Sequence, residues 1–436
     1  MRRNSDDKRL PLYALLTANI VSVIGNELTF IAIPWFVLET TGSAALTGLT
    51  AAVGVIATII AGFFSGALVD RLGYKRMSVI SDLASGVNVA LIPLLHYTVG
   101  IAFWRLLVLV FLGSILDTPG HTARRSLFPD LIARAGMRPE RANSIYMIAE
   151  RLASVIGAPL AGLLIAIMGT SRVLWIDAAT FAISAAILTA LIPSNVTAEA
   201  SETARPERQP YLRELADGFR FIRNDPLLFW MIVTMSMGGL LAEPLYSVIL
   251  PVYAREVFGE ALDLGFMFAG LGAGSIIGGV IYAAAGHRLP RRVTLIGGYL
   301  GRALTFWILV TIPPLGIVVA SIVINAIVLE PANPLSMTIY QERVPEGMRG
   351  RVFGTSRALA SITRPIGMIA YGLLLSGIGL EATLYILATV NLIPPAIMFF
   401  IPAFRNMRAP ARQATTERRG EYQQPTGNRQ ERERIT

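Results

Sequence analysis

The sequence predicts an all-α integral membrane protein of twelve transmembrane helices, set as two pseudo-symmetric six-helix bundles with both termini in the cytoplasm. Three observations carry that expectation. Charge is scarce for so long a chain, apolar runs long enough to cross a bilayer recur along it, and its basic residues gather on alternate loops.

Of 436 residues, 53% are apolar and only 15% charged, with a mean hydropathy of +0.57. A soluble protein carries nearer a quarter charged residues, so most of this surface must face something other than water. That excludes a soluble enzyme. There is no cysteine, which removes disulfides, thiolate metal sites and cysteine nucleophiles. His96, His121 and His287 lie far apart without ligand-like spacing, so no metal is expected. The net charge of +9 resides in short loops and tails between apolar runs, a pattern of membrane topology that argues against nucleic acid as a partner.

The expected spans follow in order. The first, 12–36, stands behind Arg2, Arg3, Lys8 and Arg9 without an A-x-A-like cleavage site, and reads as a retained span. Apolar runs then place spans at 46–68, 77–97, 101–123, 143–168 and 172–192. Residues 193–210 form the longest polar stretch between spans, and Leu212, Leu215, Phe219 and Ile222 after it make the stripe of an amphipathic surface helix. The second set lies at 227–251, 262–285, 293–312, 314–337, 357–378 and 380–402. The chain thus divides into an N-tail (1–11), a first bundle (12–192), a linker (193–226), a second bundle (227–402) and a disordered C-tail (403–436) rich in Arg, Glu and Gln. Arg71, Lys75 and Arg76, then Arg124, Arg125 and Arg134, then Arg288, Arg291 and Arg292 fall on one side; the opposite loops carry Arg172 and Arg255. The positive-inside rule puts the basic side and both termini in the cytoplasm of a multi-pass cell-membrane protein.

The halves repeat. Ile33-Pro34-Trp35 matches Leu250-Pro251-Val252, Leu116-Asp117 matches Leu329-Glu330, and Gly157, Gly162, Leu163 and Leu164 match Gly367, Gly372, Leu373 and Leu374, all at offsets of about 210–217 residues. A duplicated six-helix unit with a site between its copies near the midplane is a transporter arrangement. A single chain then holds both moving parts, so a monomer suffices.

Between spans 2 and 3 stands Gly66-Ala-Leu-Val-Asp70-Arg71-Leu-Gly73-Tyr-Lys75-Arg76. Gly66 and Gly73 suit close helix approach and a tight turn, and Asp70 at a helix end suits capping or pairing with Arg71 or Arg76; Asp117 in span 4 is a further partner for these arginines. The stretch resembles the signature loop of the major facilitator superfamily at every defining position. That resemblance implies a cluster latching the halves in the outward-facing state. The matching loop of the second half has Ala283 where the aspartate would fall, so a second latch is not expected. Arg124-Arg125-Ser-Leu-Phe-Pro129-Asp130, Asp177-Ala-Ala-Thr-Phe181 and Gly350-Arg351-Val-Phe353-Gly354 are similar to the branch holding the enterobactin exporter and the macrolide-efflux proteins. Gly157-Ala-Pro159-Leu-Ala-Gly162 resembles the family's antiporter motif in reduced form.

A carboxylate near the bilayer centre costs roughly 2.5–3.5 kcal/mol, so it should face a cavity or a partner. Glu27 lies about fifteen residues into span 1 and Glu243 about sixteen into span 7. As symmetry mates, both should flank the central site. Burial raises a carboxyl pKa and a nearby cation lowers it, a competition sufficient to exchange protons for cargo. Asn26, Phe30, Trp35, Tyr146, Met147, Tyr246, Asn325 and Asn333 are the candidates to line the same chamber, and Arg302 in span 9 and Glu330 in span 10 are at depths that suit an ion pair. The expected function is a proton-coupled antiporter exporting amphipathic small molecules such as drugs or siderophores by rocking its halves within the lipid bilayer. Two alternatives stay open: a lipid or lipid-linked flippase on the same fold, and a non-transporting scaffold or sensor. No glycine cluster is followed by a P-loop Lys-Ser/Thr, so neither ATP nor any other cofactor is called for.

Overall fold

A computed structural model describes residues 3–193, 211–405 and 407; half of the expected linker and most of the expected C-tail lie outside them. Every regular element among the described residues is helical: α1 (Arg3–Thr41), α2 (Ala44–Leu72), α3 (Tyr74–Thr98), α4 (Phe103–Ala135), α5 (Pro139–Met168), α6 (Thr170–Leu191), α7 (Tyr211–Asn224) and α8 (Pro226–Leu241). Beyond α8 come a π-helical turn (Leu245–Ile249), α9 (Leu250–Tyr253) and a second π-helical turn (Ala254–Phe258). The remainder is α10 (Ala261–Ala285), α11 (Arg291–Val310), α12 (Leu315–Leu329), α13 (Ala332–Arg343), α14 (Arg349–Val390) and α15 (Ile393–Phe400). Eleven stretches are long and apolar enough to cross a membrane. The last, Glu346–Phe400, is 55 residues long and is broken at Gly379, whose φ of 81° and ψ of 175° are not helical.

Several elements outrun their apolar cores. Helix α1 starts at Arg3, so residues 3–11, expected as a tail, are helical backbone. Helix α4 has 33 residues and carries Arg124, Arg125 and Arg134, expected in a loop. Backbone hydrogen bonding does not stop where the apolar layer does. Chain reversals rest on local chemistry: Gly73 at φ +80° joins α2 to α3, and Asp225 accepts from the Leu227 and Leu228 amides to cap α8. Asp225 also holds Arg343 at 2.6 Å. Helix α7 packs along α14, with Thr355 donating to the Leu215 carbonyl at 3.2 Å and Arg351 pairing with Asp217 at 3.3 Å.

The apolar core shows how the halves sit. One large cluster draws on both, including Trp35, Leu38, Tyr253, Met267 and Leu375. Two smaller clusters belong to one half each: Leu12, Leu127 and Tyr146 in the first, Leu228, Ile339 and Phe404 in the second. The shared cluster lies at the end of the bundle away from the termini, and the separate ones at the terminal end. The halves are therefore sealed at one end and parted at the other.

Two helix crossings make the seal. Where α2 meets α14, a methyl on Gly48 would lie 2.4 Å from the Met368 carbonyl oxygen and 3.0 Å from Gly372 Cα. Where α5 meets α10, a methyl on Gly162 would lie 2.7 Å from both the Ala261 carbonyl oxygen and Gly265 Cα. Backbones this close leave no room for any side chain. Across the same seam the Ala45 amide donates to Ser376 Oγ at 2.9 Å.

Candidate functional site

Below the seal, between α1 and α5 of the first half and α10 and the stretch just past α8 of the second, lies a cavity of ≈ 900 Å³. Phe30 and Phe268 meet edge to face across the halves, centroids 5.7 Å apart, at its inner limit. Glu27 and Glu243 both line it, one from each half, as do Asn26, Met147 and Tyr246. The sequence therefore places six lining residues: Asn26, Glu27, Phe30, Met147, Glu243 and Tyr246.

The two acids differ in company. Glu243 has Arg364 of α14 at 4.0 Å. No basic side chain among the described residues lies within ion-pair distance of Glu27; the Ser154 hydroxyl stands beside it. Gly157 makes room for it, since a methyl there would sit 2.8 Å from Glu27 Cβ. The reduced antiporter-like stretch thus has a physical reading. Gly157 seats the acid, Gly162 forms the crossing, and the Pro159 carbonyl faces Gly265, where a methyl would be 3.3 Å away.

Four expected lining residues lie elsewhere. Trp35 is buried in the seal, donating Nε1–H to Glu39 at 2.8 Å with the Arg255 guanidinium 5.9 Å from its ring. Tyr146 is buried inside the first half, packed on Phe128 with centroids 4.8 Å apart, while Met147 beside it faces the cavity. Asn325 donates to Thr305 Oγ1 at 2.7 Å, tying α12 to α11. Asn333 follows the α12–α13 break, its amide bonded to the Glu330 carbonyl at 3.1 Å.

The expected Arg302–Glu330 pair does not form. Glu330 faces α10 beside Gly278 and meets Arg151 of α5 at 3.5 Å across the cavity. Arg302 points the other way, toward Gly238 of α8, with its guanidinium 4.9 Å from the Tyr299 ring. The direction each residue faces is set by packing and is not in the sequence pattern.

Asp117 also departs from expectation. It lies with α1, not with the loop arginines: Asn26 Nδ2 donates to it at 3.3 Å, and His121 Nε2 is 3.3 Å away. Around it the first half holds a buried polar network. Arg124 binds Asp82 at 2.6 Å with both side chains fully buried, Ser184 donates to the other Asp82 oxygen at 2.6 Å, and Arg124 donates to Ser22 at 3.3 Å. Asp177 accepts from Thr29 and Thr180. Around the turn at Gly73, Asp70 and Arg71 at the end of α2 and Arg76 at the start of α3 are exposed at the parted end. Lys75 donates to the Thr189 carbonyl at 3.0 Å and to the Ile192 carbonyl, closing the end of α6. Gly66 meets nothing within 4 Å, so the close approach expected there is not made in this conformation.

Arg151, Ser154, Phe268 and Glu330 line the cavity without having been expected to. For Arg151 and Glu330 a signal existed: both are charges inside apolar runs, which need a partner or a wet wall.

A family model described as Major Facilitator Superfamily matches residues 15–286 and 245–430. A "Multidrug efflux pump Tap" of Mycolicibacterium fortuitum is 30% identical over 92% of this chain and 98% of its own length. A "Macrolide efflux protein A" of Streptococcus pyogenes is 20% identical over 86% of this chain and 91% of that one. The "Enterobactin exporter EntS" of Shigella boydii serotype 4 is 24% identical over 78% and 79%. Among solved structures, the nucleoside transporter NupG superposes with a TM-score of 0.74 at 14% identity, over 90% of this chain and 99% of that one.

Proposed function

We propose, because this chain belongs to the major facilitator superfamily, that its cavity carries amphipathic organic cations outward across the cell membrane in exchange for protons. Membership makes it a multi-pass membrane transporter. The outward direction and the drug-like cargo follow the relatives named as efflux pumps and exporters. Coupling to protons is our reading of the site.

The observation that carries it is Glu27: a carboxyl with no basic partner among the described residues, in a shared cavity that Phe30, Tyr246 and Phe268 also line. An amine or quaternary cargo would meet a negative charge and aromatic faces there. A proton and a cation compete for the same carboxyl, so one leaves as the other binds. The other cavity acids are already committed, Glu243 to Arg364 and Glu330 to Arg151. A flippase would want free arginines on the cavity wall; Arg151, the arginine that lines it, is engaged by Glu330, which favours export of a soluble amphiphile.

Within this reading the helical break at Gly379 divides the last stretch into two spans, giving twelve and both termini on the cytoplasmic side. The 12–192 and 227–402 halves rock about the cavity within one monomer. The exposed Asp70, Arg71 and Arg76 engage when the parted end closes, forming the latch of the outward-facing state.

Everted vesicles loaded by a proton gradient and offered a cationic dye test the reading. Glu27→Gln is expected to leave the protein inserted and monodisperse while lowering gradient-driven dye uptake by about tenfold or more. Wild-type flux indifferent to the gradient would remove the proton from the mechanism.

A further inference from the structure

Two arginines are buried to more than nine-tenths, Arg124 and Arg302. Arg124 has Asp82 at 2.6 Å. Arg302, 6% exposed, has no carboxylate within ion-pair distance among the described residues, and its Nε and Nη2 have no acceptor. A guanidinium carries five donors and cannot shed its charge. Buried in a membrane protein without a counter-charge, it is expensive to keep unless something comes to meet it.

The surroundings leave a place for such a partner. The guanidinium lies over the Tyr299 ring at 4.9 Å, so one face is covered. Its terminal nitrogens face Gly238 of α8, where even an added methyl would stand 3.9 Å from both. Tyr246, which lines the cavity, lies within electrostatic reach of both Arg302 and Glu243. The cavity therefore has a lone negative group on the first half, and a lone positive group of the second half lies within reach of Tyr246 on its wall.

We propose that Arg302, with Tyr246 and Tyr299, forms an anion subsite that takes a carboxylate- or halide-sized group. This rests on the export reading and sharpens it: the cargo class extends to zwitterions, with an amine at Glu27 and an acidic group at Arg302. The same chemistry could be supplied by chloride accompanying a purely cationic cargo.

The test uses the full-length protein in proteoliposomes and two xanthene dyes, one with a free carboxylate and its ethyl ester. Arg302→Gln is expected to lower transport of the free acid by about tenfold while sparing the ester, and Arg302→Lys to keep part of the acid transport. Should gluconate in place of chloride slow the ester in the wild type but not in Arg302→Gln, the occupant is a free halide. A second measurement needs no flux: chloride is expected to raise the melting temperature of the wild type and not that of Arg302→Gln. Unselective behaviour of the dyes together with no chloride-dependent stabilisation overturns the subsite. Failure of the wild type to move either dye counts against export instead, and the melting shift then decides the subsite alone.

Discussion

Asp82 and Arg124 meet at 2.6 Å with neither side chain exposed. Removing one partner of such a pair leaves an uncompensated charge in the interior, which costs about 3–5 kcal/mol, whereas an exposed pair contributes about 0–1 kcal/mol. Asp82→Ala is therefore expected to lower thermal stability in detergent sharply. Arg125→Ala, whose partner Glu150 lies at 3.6 Å while the arginine is 61% exposed, should change it little. Equal melting temperatures for the two variants would refute the assignment. At this scale the sequence is informative about chemistry and poor about direction. Glu27 and Glu243 are legible because a carboxylate inside an apolar run demands an explanation. That Glu330 turns to Arg151 and Asp117 to Asn26 is not legible, because the turn of a helix about its own axis is set by packing against neighbours.

Helices 2, 5, 10 and 14 carry the seal, and their glycines act by what they lack. A valine at Gly48 or Gly162 would drive a side chain into backbone atoms 2.4–2.7 Å from its Cβ. Each is expected to leave the halves folded but hold the sealed end open, abolishing transport with unchanged membrane insertion. Gly62→Ala, also in α2 and with nothing within 4 Å, is the matched control for helical glycine loss. Transport by Gly162→Val at the wild-type rate would show that the crossing does not need to close. The element scale is where the sequence reads best: each membrane-length stretch falls on an expected apolar run, the last two runs falling in one stretch broken at Gly379, and the Gly157–Gly162 stretch stands out. The ends read worse, since α1 and α4 continue as helix past the apolar layer.

For the whole transporter, the pairing of one joint core with two separate ones implies a chamber that faces the side of the termini. A chain without cysteine makes this directly measurable. Ser275→Cys, on the cavity wall, should react with a membrane-impermeant maleimide severalfold faster from the side of the termini than from the other; equal rates from the two sides would contradict the arrangement. Offsets in the sequence suggest a twofold repeat but not which end is joined, because both states of the proposed rocking pair share one sequence. The glycine seams bear on the energetics of that rocking. Ordering a long side chain costs up to about 1.5–2 kcal/mol of rotamer freedom, and glycine none. A seam in which main chain meets main chain at Gly48–Gly372 and Gly162–Gly265 can be made and unmade on every turnover without freezing and releasing side-chain motion. Under the proposed exchange, the proton gradient is then left to act on cargo and proton rather than on the hinge.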